Sequence, residues 1–315
     1  MMHNDRDVLV HEVGPRDGLQ SIQTIFPTDA KMNWIRQLAR AGVPQIQVGS
    51  FVPPKNLPQM ADSAEVVRQS VDISGLTVSA LVPNLRGAEN GMAAGAHQIG
   101  VVISVSEAHN MSNVKRSVAE SLEGFSKIVE YRDASEEYKD IVISGGLATS
   151  FGCTIDGKVA VADVMRVAEE YLKRGADRIS VADTVGHANP KQVKNLFDEL
   201  YQTVGNDVAI GAHFHDTRGL GLANAFAALE AGVRELDSCL GGLGGCPYAP
   251  GATGNIVTED LVFMLEAMGM RTGVDLDGLL EAREIMEQQL QDEPTHGNFI
   301  TAGRPLGFEP ATALI

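Results

Sequence analysis

Residues 213–217 read His-Phe-His-Asp-Thr. Two imidazoles separated by one residue on an extended chain project from the same face, so both can reach one ion from one side. Upstream, GPRDGLQ (14–20) supplies a carboxylate, Asp17, beside a guanidinium, Arg16, with Gln20 just beyond. Downstream, GGLGGCPYAPGATGN (241–255) sets a single thiol, Cys246, in a glycine- and proline-rich loop that ends on Asn255. His213, His215, the Asp17 carboxylate, the Asn255 amide oxygen and waters form a set suited to an octahedral divalent cation, magnesium or manganese. Zinc usually takes three N or S ligands and fits less well. The plainer reading of His-x-His alone is two unrelated histidines near a strand end. Arg16 is placed to hold a carboxylate or a developing enolate oxygen, or else to form a structural ion pair. Asp183, in SVADTVG (180–186), is open between supporting the metal, touching substrate and capping the helix after Pro190.

These residues need a scaffold that gathers them. Short β-branched runs at 8–13, 45–49, 76–81, 98–103, 140–145, 177–182, 208–213 and 234–239 read as strands. Between them, 29–42, 158–176, 190–205 and 220–233 carry apolar residues three and four apart, the period of a helix with one buried face. Eight such alternations predict an α/β chain, either a closed (β/α)8 TIM barrel or an open doubly wound sheet. The length fits the barrel, and no GxGxxG follows the first strand, so the barrel is the expectation. The polar clusters then fall where barrel strands end, the face that carries chemistry in this fold. Extra helices are expected at 256–268 and 276–291. The barrel domain is expected to span 1–290, with 291–315 as a surface segment or subunit contact.

The formal charge of −16, from 41 acidic and 25 basic residues, opposes phosphate backbones and argues against nucleic acid as a partner. Three cysteines without a CxxC spacing suggest a reducing compartment. No signal-peptide pattern and no apolar run of about 20 residues stands out, so a cytoplasmic chain with no membrane span is expected.

Taken together, GPRDGLQ, SFVPPKNLPQM, DTVG, HFHDTRGLGLAN, GLGGCPYAPGATGN and TEDLVFMLEAMG resemble the 3-hydroxy-3-methylglutaryl-CoA lyase family, in order over roughly residues 8–290. RDG and His-x-His are shared with related synthases, whereas GLGGCPYA is specific to the lyase branch. The resemblance implies a TIM barrel, a divalent cation and retro-Claisen cleavage of a 3-hydroxyacyl-CoA to acetyl-CoA and a ketone or ketoacid. It places the metal ligands on Asp17, His213, His215 and Asn255. It puts the catalytic arginine on Arg16 and a mobile-loop cysteine, donating or relaying a proton, on Cys246. Asp17 or a histidine such as His213 would take the hydroxyl proton. Gln20, Gln47, Asn113, Ser180 and Asp183 are expected to line the acyl-CoA site. A homo-oligomer, in the simplest case a dimer, is also expected. One departure stands out: Gln47, in QIQVG, occupies the place of a family glutamate. It keeps the length and the accepting oxygen and loses the charge, which leaves as alternatives a lyase for another 3-hydroxyacyl-CoA and an impaired binding homologue; the shared RDG and His-x-His also permit a Claisen-type synthase joining acetyl-CoA to a 2-keto acid.

Overall fold

A computed structural model describes residues 6–244 and 254–314. Eight parallel strands close on themselves in chain order: β1 (Leu9–Glu12), β2 (Gln45–Ser50), β3 (Thr77–Leu81), β4 (Gln98–Ser104), β5 (Val142–Ala148), β6 (Arg178–Asp183), β7 (Ala209–Phe214) and β8 (Glu235–Ser238). Closure is made by β8 returning to β1, with Leu9 opposite Glu235 and Glu12 opposite Ser238. That pairing excludes the open sheet and establishes the (β/α)8 barrel. The outer layer holds α1 (Thr28–Arg40), α2 (Ser63–Ser70), α3 (Leu85–Ala93), α4 (Glu107–Val114), α5 (Val118–Asp133), α6 (Val161–Lys173), α7 (Pro190–Val204) and α8 (Gly221–Glu230). After β8 come α9 (Thr258–Ala267), α10 (Leu276–Gln289) and the short α11 (Phe299–Ala302).

Local sequence explains these elements. On α6 the buried residues are Val164, Met165, Val167, Ala168 and Tyr171, one stripe at helical spacing. α7 starts at an Asn189–Gln192 capping box with Pro190 in its first turn. The AGV turns place Gly42 and Gly232 at φ 89 and 103, a region open to glycine without strain. Outward strand residues such as Ile46, Val78, Ile99, Ile143 and Leu236 are fully buried under the helices. Each contributes about 2 kcal/mol.

The segment after α10 lies packed on the barrel. The Asp260 carboxylate accepts the backbone N–H groups of Asn298 and Phe299, and Glu266 accepts from Thr312. Phe263 meets Phe299 and Phe308 at ring distances of 5.2 and 5.0 Å. Among the described residues no helix is long and apolar enough to cross a membrane.

Candidate active site

The carboxyl ends of β1, β2, β7 and β8 build the site. β1 runs into a single π-helical turn, Gly14–Gly18, which presents Arg16 and Asp17 side by side. Such turns are rare and concentrate at functional sites. The turn is held from behind by Glu12, a fully buried carboxylate that accepts from Gly14 N (2.7 Å), Leu240 N (3.0 Å) and Thr258 Oγ1 (2.7 Å). Gly14 has no room for a side chain, because a Cβ would sit 2.5 Å from that carboxylate. Burial pushes the Glu12 carboxyl up to about 8, against the pull of its donors.

β7 carries His213, and His215 follows it on the same face. Their rings lie 5.1 Å apart. The chain returning at 254–257 lies along the ends of β7 and β8: Asp216 N donates to Gly254 O, Ile256 N to Phe214 O and Cys239 N to Ile256 O. This return sets Asn255 opposite His215. Asn255 donates from Nδ2 to Asp17 Oδ2 at 2.7 Å, and His215 Nε2 stands 3.8 Å from the same oxygen.

Asp17, His213 and His215 each offer a ligating atom, and these atoms all lie within 4.8 Å of one another. His213 bonds Asp237 through Nδ1 at 3.2 Å, which fixes the ring and leaves its other nitrogen for an ion. The buried Asn255 Oδ1 and His215 Nδ1 have no hydrogen-bond partner among the described residues. The donor set of two imidazoles, a carboxylate and an amide short of a partner fits a divalent cation.

Electrostatics agree. Burial alone would raise the Asp17 carboxyl, but the Arg16 guanidinium and both imidazoles hold it well below the usual carboxylate range. Burial opposes the charged form of His213, yet the Asp237 and Asp17 carboxylates outweigh it and raise its basicity. Arg16 forms a fork: Nε donates to Gln47 Oε1 and Nη1 to Asp17 Oδ1. Gln47 sits where the register of β2 against β3 slips between Gln47 and Gly49. Such an irregularity re-aims side chains next to sites.

A cavity of about 840 Å³ opens beside this cluster, within the range of small-molecule sites. Arg16, Asp17, Gln20, Gln47, Asn113, Ser180, His213 and His215 all line it. The HMGL-like family profile matches residues 7–286. This chain belongs to the hydroxymethylglutaryl-CoA lyase family. It is 40% identical over 286 residues to hydroxymethylglutaryl-CoA lyase of Bacillus subtilis, covering 90% of this chain and 94% of that protein. It is 41% identical over 285 residues to the mitochondrial hydroxymethylglutaryl-CoA lyase of Mus musculus, covering 90% and 86%. Among solved structures it resembles an Acinetobacter baumannii HMG-CoA lyase in complex with coenzyme A and 3-methylmalate. The TM-score is 0.89, the identity 41%, and coverage 98% and 99%.

Asp183 does not line the cavity; its oxygens accept the backbone N–H groups of His187 and Ala188 at 2.8 and 3.0 Å. Of its three possible roles the geometry matches a backbone cap, made on the loop before α7 rather than on the helix. Cys246 lies outside the described residues. Two residues escaped the sequence reading, Glu12 and Asp237. The signal for Glu12 is a carboxylate inside the apolar strand VLVHEV, where an unpaired charge would not persist, whereas Asp237 stands in the polar run RELDSC, which carries no such signal.

Proposed function

We propose that this chain cleaves 3-hydroxy-3-methylglutaryl-CoA to acetyl-CoA and acetoacetate. The observation that carries the reading is the convergence of Asp17, His213 and His215 beside the Arg16 fork at one cavity. Asp17, His213, His215 and Asn255 would hold magnesium or manganese, whose chemistry is to acidify the substrate hydroxyl and fix a carboxylate oxygen. The Asp17 carboxylate, which keeps a second oxygen when one binds the ion, would take the hydroxyl proton, because His213 has both ring nitrogens engaged, Nδ1 on Asp237 and the other on the ion. Arg16, steadied by Gln47, stabilises the enolate oxygen as the carbon–carbon bond breaks. Cys246 returns a proton to carbon, a task suited to a thiol of ordinary pKa about 8.5. Gln20, Asn113 and Ser180 contact the acyl-CoA.

The bound coenzyme A of the Acinetobacter relative supports an acyl-CoA substrate. Exposed Ile300 and Leu306 in the segment after α10 support a homodimer contact. Relatives are named both cytoplasmic and mitochondrial. The small, odd number of cysteines, with Cys153 and Cys239 free, favours the cytoplasm here.

Acetyl-CoA release with magnesium tests the reading. The wild-type chain is expected to cleave the methylglutaryl thioester, and Gln47→Glu to stay within about tenfold of it, because either residue offers Arg16 an accepting oxygen. Silence of both proteins toward this thioester would sink the proposal. Cys246→Ala is expected to lower kcat by about 100-fold or more with manganese affinity unchanged. Unaltered turnover would remove the thiol from the proton path.

A further inference from the structure

The cavity does not stop at the cation-binding cluster. TIM barrels are ordinarily filled along the axis by layers of bulky aliphatic side chains. Here small residues take several of the inward positions, Ser79 on β3, Gly100 on β4, Ser144 and Gly146 on β5, and Gly211 on β7, beside polar ones such as Gln45 and Gln98. A Cβ on Gly100 would meet nothing nearer than 3.7 Å, and one on Gly211 nothing nearer than 3.8 Å. Added side chains there would begin in ordinary contact, so packing does not force glycine at either position. Val102, in the middle of β4, remains 38% exposed and lines the same space. The floor is polar: Gln98 Oε1 accepts from Gln45 Nε2 at 3.3 Å and from Arg178 Nη1 at 3.4 Å. The Arg178 guanidinium is paired with Glu235, and the Asp237 carboxylate lines the same space, so the floor offers no unpaired positive charge.

The nucleotide of coenzyme A is too large for a barrel interior, so the thioester stays at the mouth and the far part of the acyl group points inward. An alkyl end would strip water from Gln45 and Gln98 without replacing its hydrogen bonds. A second carboxylate would be buried against a guanidinium already paired. A neutral donor–acceptor group satisfies the floor without either penalty.

We propose that this chamber is an acyl pocket for 3-hydroxyglutaryl-CoA esters whose substituent on carbon 3 is longer than methyl and ends in a hydroxyl or carboxamide, cleaved in addition to the methyl ester. The inference rests on the lyase reading above. The step is the same one: the bond between carbons 2 and 3 breaks and carbon 3 becomes a ketone. The hydroxyl proton passes to the protein, and carbon 2 keeps the electron pair and takes a proton to give acetyl-CoA. No oxidant or reductant is consumed.

The test compares kcat/KM, with magnesium, for 3-hydroxy-3-methylglutaryl-CoA, the 3-butyl homologue and the 3-(4-hydroxybutyl) analogue. The hydroxybutyl ester is expected within about tenfold of the methyl ester, and the butyl ester about tenfold below the hydroxybutyl one. Gly211→Val and, separately, Ser144→Ile fill the chamber. Either should lower the hydroxybutyl ester at least about tenfold while the methyl ester changes less than about threefold. If one variant fails to fold, the other carries the test. Turnover of the methyl ester with none of the hydroxybutyl ester would overturn the proposal, as would equal loss of both esters in the folded variants. If no ester is cleaved, the lyase reading fails. The chamber is then judged by equilibrium binding: tighter binding of the hydroxybutyl than the butyl ester, abolished by filling, supports it, and equal affinities overturn it.

Discussion

Asp17→Ala should abolish cation binding and lower turnover by about three orders of magnitude or more. The carboxylate is the one anionic member of the ligating cluster, and it also orders its neighbours. It accepts from Asn255 Nδ2, is paired with Arg16 and faces His215. Removing it leaves the Arg16 guanidinium with Gln47 as its side-chain partner among the described residues, and takes the anionic ligand away from the two imidazoles. Manganese titration followed by electron paramagnetic resonance reads the first effect, and steady-state acetyl-CoA release the second. A variant that binds manganese as tightly as wild type would show that the ion site is elsewhere.

Arg16→Gln is expected to lower kcat by about 100- to 1,000-fold while leaving manganese affinity nearly intact. The guanidinium is held by two acceptors at a geometry that only a planar fork satisfies, Gln47 through Nε and Asp17 through Nη1. Arg16→Lys restores the charge and not the fork, so it should recover only part of the loss. A kcat within about threefold of wild type in Arg16→Gln would assign the arginine to structure rather than to enolate stabilisation.

Much of this architecture was readable from residue order. The strand runs at 45–49 and 177–182 are β-branched and lie between glycine-marked turns, and both appear as strands within a residue or two. β5 was the difficult one. It was expected at 140–145 and runs over Val142–Ala148, because Ser144-Gly145-Gly146 looks like a turn. Gly145 is required there by packing: a Cβ would meet the Tyr171 ring at 2.6 Å. The ligand types were legible because they follow strand ends in short motifs. Their supports were not. Glu12 meets Leu240 and Thr258, which lie 228 and 246 residues away in sequence, and Asp237 joins His213 to His11 across three strands. Nor does any local pattern announce the π turn that aims Arg16 and Asp17.

The cluster straddles the seam where the first strand meets the last. Asp17 and Asn255 are 238 residues apart, and both depend on β1 lying against β8. If Asp17, His213, His215 and Asn255 hold the proposed cation, a nascent chain gains full affinity only once its eighth strand has emerged and docked, however well its first half has folded. Cation uptake would then report ring closure directly. Pulse-labelled refolding followed through manganese uptake would time the last long-range step of assembly rather than the formation of secondary structure.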